Sequence, residues 1–151
     1  MDHCVFCFHP AEPLLCRWEG TLRLEAADGP RRLLGAFSPR GEAHLHVVEV
    51  EGECRSWPDG DGLVRAVTVY NRSSLPLEWV EVAPGGEVLP ESLRVEGQPA
   101  ERPELPGLAA GGQALFTWRE AGGGSAAPLL LRYRYRFDGG LREGSRPLEQ
   151  D

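Results

Sequence analysis

Apolar and polar residues alternate with a period of two along most of this chain, the pattern of strands that bury one face. Residues 21–25 open the series, and Asp28, Gly29 and Pro30 turn the chain after them. Residues 33–37 form a short apolar run, residues 43–50 a longer strand, and residues 53–57 a further candidate. Pro58-Asp59-Gly60-Asp61-Gly62 is a strong turn signal. Residues 63–70 alternate imperfectly but are rich in β-branched side chains. After a turn at residues 71–74, residues 75–82 resume the alternation, with Pro76 at the strand start where a missing N–H is tolerated. Residues 92–95, 113–119 and 129–137 add three more candidates. In the last of these, Leu131, Tyr133, Tyr135 and Phe137 fall on one face and Arg132, Arg134 and Arg136 on the other. No window carries a helical stripe, so the pattern predicts an all-β sandwich or barrel of about eight strands.

The 19 glycines and 13 prolines reinforce this reading, because both disfavour helix interiors and mark turns. Hydrophobic residues make up 41% of the chain, enough for a core, and charged residues 26%. Residues 1–16, interrupted by Pro10 and Pro13, read as an extended amino-terminal arm ahead of a domain spanning 17–140. Residues 141–151 read as a weakly held tail. The net charge is −7 and every basic side chain is arginine. An acidic surface repels phosphates, which argues against nucleic acid as a partner. No stretch approaches the roughly 20 apolar residues of a membrane span. Met1-Asp2-His3-Cys4 lacks a secretory signal, so the expectation is a protein that stays in the cytoplasm or leaves without a classical signal peptide.

Cysteine chemistry is the sharpest candidate. Cys4, Cys7, Cys16 and Cys54 admit several disulfide pairings, and three of the four lie in the arm, within reach of a neighbouring subunit. Zinc is the competing use: Cys4 and Cys7 have half-site spacing, and Cys16, Cys54, His3 or His9 would complete the set. His44 and His46 share a strand face, which suits either a metal or, more simply, a polar stripe opposite Leu45 and Val47. Asp59 and Asp61 resemble a fragment of a calcium loop but lack its closing Glu. Asn71-Arg72-Ser73 fits a glycosylation sequon. Glu49 and Glu51 read as a solvated strand face. Phe6, Phe8, Arg132, Arg134 and Arg136 are candidates for an interface, the arginines pairing with carboxylates of a neighbouring strand or subunit. Nucleophile elbow, P-loop and HExxH motifs do not occur, which points away from an enzyme and its cofactors.

Three stretches resemble the immunoglobulin-like repeat domains of bacterial surface proteins. These are Val67 to Asn71 with Leu77 to Val82, Val88 to Gly97, and Leu105 to Gly112 before Leu115 to Trp118. The resemblance implies an immunoglobulin-like or jelly-roll sandwich with an adhesive or structural role. In layout, a cysteine-bearing arm before one sandwich is similar to bacterial endospore appendage subunits, whose arms are tied to neighbouring subunits by disulfides. Those arms tend to carry adjacent cysteines, whereas two residues separate Cys4 from Cys7. The expected function is therefore a subunit that assembles with copies of itself into an extracellular or spore-surface filament. A zinc-stabilised intracellular adaptor and a virion decoration protein are the alternatives.

Overall fold

The computed structural model describes residues 15–19, 23–28, 30–37, 43–121, 129–137 and 139–148. Among these residues there is no helix and there are thirteen strands, so the fold is all-β. The excess over the sequence candidates comes from Leu15–Glu19 and Gly140–Leu148, at the segments read as arm and tail, and from the two-residue strands Gln98–Pro99 and Glu104–Leu105, which carry no alternation to read. The chain divides into two compact units, residues 1–49 and residues 50–151. The sequence reading placed one domain over 17–140.

The first unit is an antiparallel meander of β1 (Leu15–Glu19), β2 (Arg23–Asp28), β3 (Arg31–Phe37) and β4 (Ala43–Val48), in that order. Leu15 and Cys16, assigned to the arm by the sequence reading, instead begin β1 and pair with Ala27 and Ala26. The β2–β3 hairpin closes at Asp28 opposite Arg31, where the Asp-Gly-Pro turn was expected. Leu33, Leu34 and Val48 are buried.

The second unit begins with a long hairpin of β5 (Val50–Asp59) and β6 (Gly62–Asn71), followed by β7 (Leu77–Ala83). Three short strands come next: β8 (Arg94–Val95), β9 (Gln98–Pro99) and β10 (Glu104–Leu105). β11 (Gln113–Glu120), β12 (Leu129–Phe137) and β13 (Gly140–Leu148) complete it. One sheet has the order β5-β6-β11-β8-β9 and the other β10-β7-β12-β13. Without the short strands β9 and β10 these are the A-B-E-D and C-F-G orders of an immunoglobulin sandwich. Neither β6 nor β12, the counterparts of the disulfide-linked strands in antibody domains, carries a cysteine.

Period-two patterning fills the space between these sheets. Cys54, Val67, Phe116 and Val95 are partners across four neighbouring strands and all are buried. From the facing sheet come Val80 and Val82 of β7 and Leu129, Leu131, Tyr133, Tyr135 and Phe137 of β12. A β-bulge in β7 resets the phase of its alternation: Arg134 pairs with Trp79, but Tyr135 pairs with Leu77. Leu77 therefore points into the core while Trp79 faces outward, although both lie on the same arm of a simple alternation.

Residues 140–148 correct the expectation of a loose tail, since β13 pairs with β12 residue for residue from Gly140 to Leu148. Only Leu148 of this strand is buried, so it has no apolar stripe to read, and main-chain pairing specifies it instead. Two glycines let the sandwich close along this side. A Cβ on Gly144 would stand 2.5 Å from the Tyr133 ring, and one on Gly52 would stand 2.7 Å from a Leu148 methyl. Arg146 Nη1 donates to the Val50 carbonyl at 2.8 Å, joining β13 to β5.

Candidate interaction surfaces

Outward positions of β12 and β7 combine charged and aromatic side chains. Arg132, Arg134 and Arg136 alternate with the buried aromatics, as the sequence predicts. Arg134 stacks over Trp79 with its guanidinium carbon 4.4 Å from the ring centroid, and Arg132 lies at 5.8 Å. Arg132 also meets Glu81 at 3.5 Å on β7 and Glu143 at 2.9 Å on β13. Arg136 meets Glu78 at 3.4 Å. Trp79 Nε1 donates to Glu104 at 3.2 Å. The three arginines are thus held within their own sheet, by carboxylates of neighbouring strands or by the indole, which leaves few charges on this face to recruit a partner.

The opposite outer face is built differently. Ala66, Thr68 and Thr117 form a floor of small side chains across β6 and β11, with Val64 beside them. Trp57 and Leu115 stand out from it at 47% and 42% exposure. Arg55, Ala66, Thr117 and Arg94 are partners in one row across four strands.

Two polar assemblies that sequence reasoning did not single out lie inside the sandwich. Glu120 is 1% exposed and forms an ion pair with buried Arg65, Nε to Oε2 3.3 Å. Trp118 Nε1 donates to the other carboxylate oxygen at 3.0 Å, and Arg65 Nη1 donates to Ser56 Oγ at 2.8 Å. Gly86 closes over the carboxylate, where a Cβ would stand 3.0 Å from Oε2. The only sequence signal was the phase: Arg65 and Glu120 sit at core positions of their alternations. The second assembly is a corner organised by Asn71, also 1% exposed. Its Nδ2 donates toward the carbonyls of Leu75, Leu108 and Ala109 at 3.0–3.1 Å, and its Oδ1 accepts from Ser73 N–H. This amide is consumed by the fold, so the sequon is not open to glycosylation in the folded protein. Among the described residues no buried side-chain N or O lacks a partner.

The remaining sequence candidates divide between these surroundings and the undescribed segments. His3, Cys4, Phe6, Cys7, Phe8 and His9 lie outside the described residues. Cys16 has a place in β1. Cys54 is buried on β5 with Sγ 3.9 Å from Ser56 Oγ, so it is a core side chain rather than part of an arm cluster. His44 and His46 both lie on β4; His46 is half-buried while its neighbour Leu45 is exposed, the reverse of a simple polar-out stripe. Asp59 ends β5 and Asp61 lies in the β5–β6 turn after Gly60 at φ 61°; Asp59 pairs with Arg119 at 3.1 Å. The described residues contain no group of three or more metal-ligating side chains. They also contain no helix long and apolar enough to cross a membrane. No protein-family model matches the chain, and no curated protein matches it.

Proposed function

We propose that this chain is a non-enzymatic structural subunit that assembles with copies of itself into an extracellular or spore-surface filament. The supporting observation is the asymmetry of its sheet edges. On one side of the sandwich the edges are the ten-residue β5 and the nine-residue β13; on the other they are the two-residue β9 and β10. Long edges offer rows of main-chain donors and acceptors to an added strand, whereas very short ones do not. An extended amino-terminal segment of a neighbouring copy is the strand that this side would receive. Covalent locking then falls to Cys4 and Cys7, because Cys54 is enclosed in the core and Cys16 lies in β1.

Negative-stain electron microscopy of the native protein, with and without reductant, tests this reading. Regular polymers are expected, and their loss on reduction assigns the arm cysteines to cross-linking. Dispersed monomers at every concentration, reduced or oxidised, overturn it.

A further inference from the structure

The outer face of the β5-β6-β11-β8 sheet separates its charges by sign, and this separation has a geometric consequence. Successive rows across the strands alternate in chemistry. One row holds Glu53, Thr68 and Leu115, and the next holds Arg55, Ala66, Thr117 and Arg94. Beyond the first row, Glu51 pairs across with Tyr70; beyond the second, Trp57 pairs with Val64. Along the β5 margin the order is therefore Glu51, Glu53, Arg55. Along the β8 margin Arg94 is followed by Glu96, whose Oε1 accepts the Leu115 N–H at 2.6 Å. Within the Glu53 and Arg55 rows only small, aliphatic and hydroxyl side chains lie between these margins, with Leu115 raised at the centre; in the flanking rows Arg119 is paired with Asp59 at 3.1 Å, and Glu51 with Arg72 at 2.6 Å. Arg55 and Arg94 form no ion pair among the described residues, in contrast to the arginines of the other face.

We infer that this face is a self-complementary docking surface for a second copy of the chain, an inference that rests on the self-assembly reading above. A two-fold axis lying in the contact plane, across the strands and between the Glu53 and Arg55 rows, reverses the strand direction of one copy over the other. It sets Glu53 over Arg55 of the second copy at one margin and Glu96 over its Arg94 at the other. Leu115 then lies over the Ala66–Thr117 floor. Each copy supplies the charge that the other lacks, which is what an isologous contact requires. An apolar centre within a charged rim is the usual anatomy of such an interface. The face measures about 20 Å by 30 Å from strand spacing and rise, roughly 600 Å² per partner. That is somewhat below the ~800 Å² of a standard interface and fits a micromolar dimer that gains from repetition in an assembly.

The test uses the full chain under reductant, with one copy fluorescently labelled, in sedimentation velocity from about 1 to 300 µM of unlabelled partner. The wild-type chain is expected to self-associate in this range, more weakly at high salt. R55E/R94E should weaken self-association by at least about tenfold, and so should E53R/E96R. Mixing those two variants should restore association, because each then meets its complement. Far-UV circular dichroism identifies any variant that fails to fold; T117R, which only blocks the floor, then replaces it and should abolish association. A wild-type chain that stays monomeric overturns the inference. So does association that neither the charge reversals nor T117R weakens, or that the mixture fails to restore. Electron microscopy of R55E/R94E separates the two claims: filaments that persist in it retain the self-assembly reading and remove this face from it.

Discussion

The two outer faces of the sandwich arise from the same period-two code and end in opposite states. On the β7-β12-β13 face, arginine and glutamate alternate between adjacent strands, so each positive charge finds a neighbour within its own sheet or an indole to lie on. On the β5-β6-β11-β8 face, the central strands carry Ala66, Thr68 and Thr117 beside Arg55 and Arg94, so these two arginines have no carboxylate as a cross-strand neighbour, while Arg119 in the next row is held by Asp59. Charge density therefore says little about stickiness. Where opposite charges are cross-strand neighbours the face is satisfied by itself, and where small residues take the cross-strand positions beside a charge it is left to be satisfied from outside.

Four substitutions grade that contrast. The largest effect should fall between the faces. Glu120→Ala strands the buried Arg65 guanidinium and should lower the urea-unfolding free energy by about 3–5 kcal/mol, whereas Arg65→Met combined with Glu120→Leu should recover most of it. Little loss for Glu120→Ala would mean that water reaches the pair and that the interior is less closed than its geometry. Next comes Asn71→Ala, which removes the donor shared by the Leu75, Leu108 and Ala109 carbonyls and the acceptor of the Ser73 N–H. About 2 kcal/mol is expected in the same measurement. On the self-satisfied face, Trp79→Ala removes the surface on which Arg134 rests and should lower stability by about 1–2 kcal/mol while sedimentation stays unchanged. The smallest stability change, within about 0.5 kcal/mol, belongs to Leu115→Ser on the open face. That substitution should nevertheless weaken self-association. A Trp79 variant that changes assembly, or a Leu115 variant that does not, would reverse the assignment of the two faces.

Several elements of this picture were legible before any coordinates. The alternation of Leu131, Tyr133, Tyr135 and Phe137 with three arginines places β12 in the sandwich and gives each side chain its side. The pairing of Arg132 and Arg136 with neighbouring carboxylates follows from the same rule. The Asp-Gly turn between β5 and β6 is equally local. Other features could not be read because they depend on distant partners. β13 has one buried residue, so only its ladder with β12 makes it a strand. The bulge that turns Trp79 outward is a mismatch between two strands and leaves no mark on either alone. Sequence placed Asn71 and Ser73 in a sequon, and only the approach of residues 108–109 makes that asparagine a buried tie.

What the sequence determined by itself is the all-β class, the inward set of most long strands, and the sign and spacing of charge along each strand. All of these follow from the two-residue repeat of a single extended chain. What the tertiary structure decided is which strands are neighbours, because pairing energy is shared among many main-chain bonds that no single residue encodes. That choice brings Arg65 to Glu120 across 55 positions, sets β13 beside β12, and leaves Arg55 and Arg94 at opposite margins of one row. A charge becomes a core tie, a surface ladder or an open rim according to the strand placed beside it.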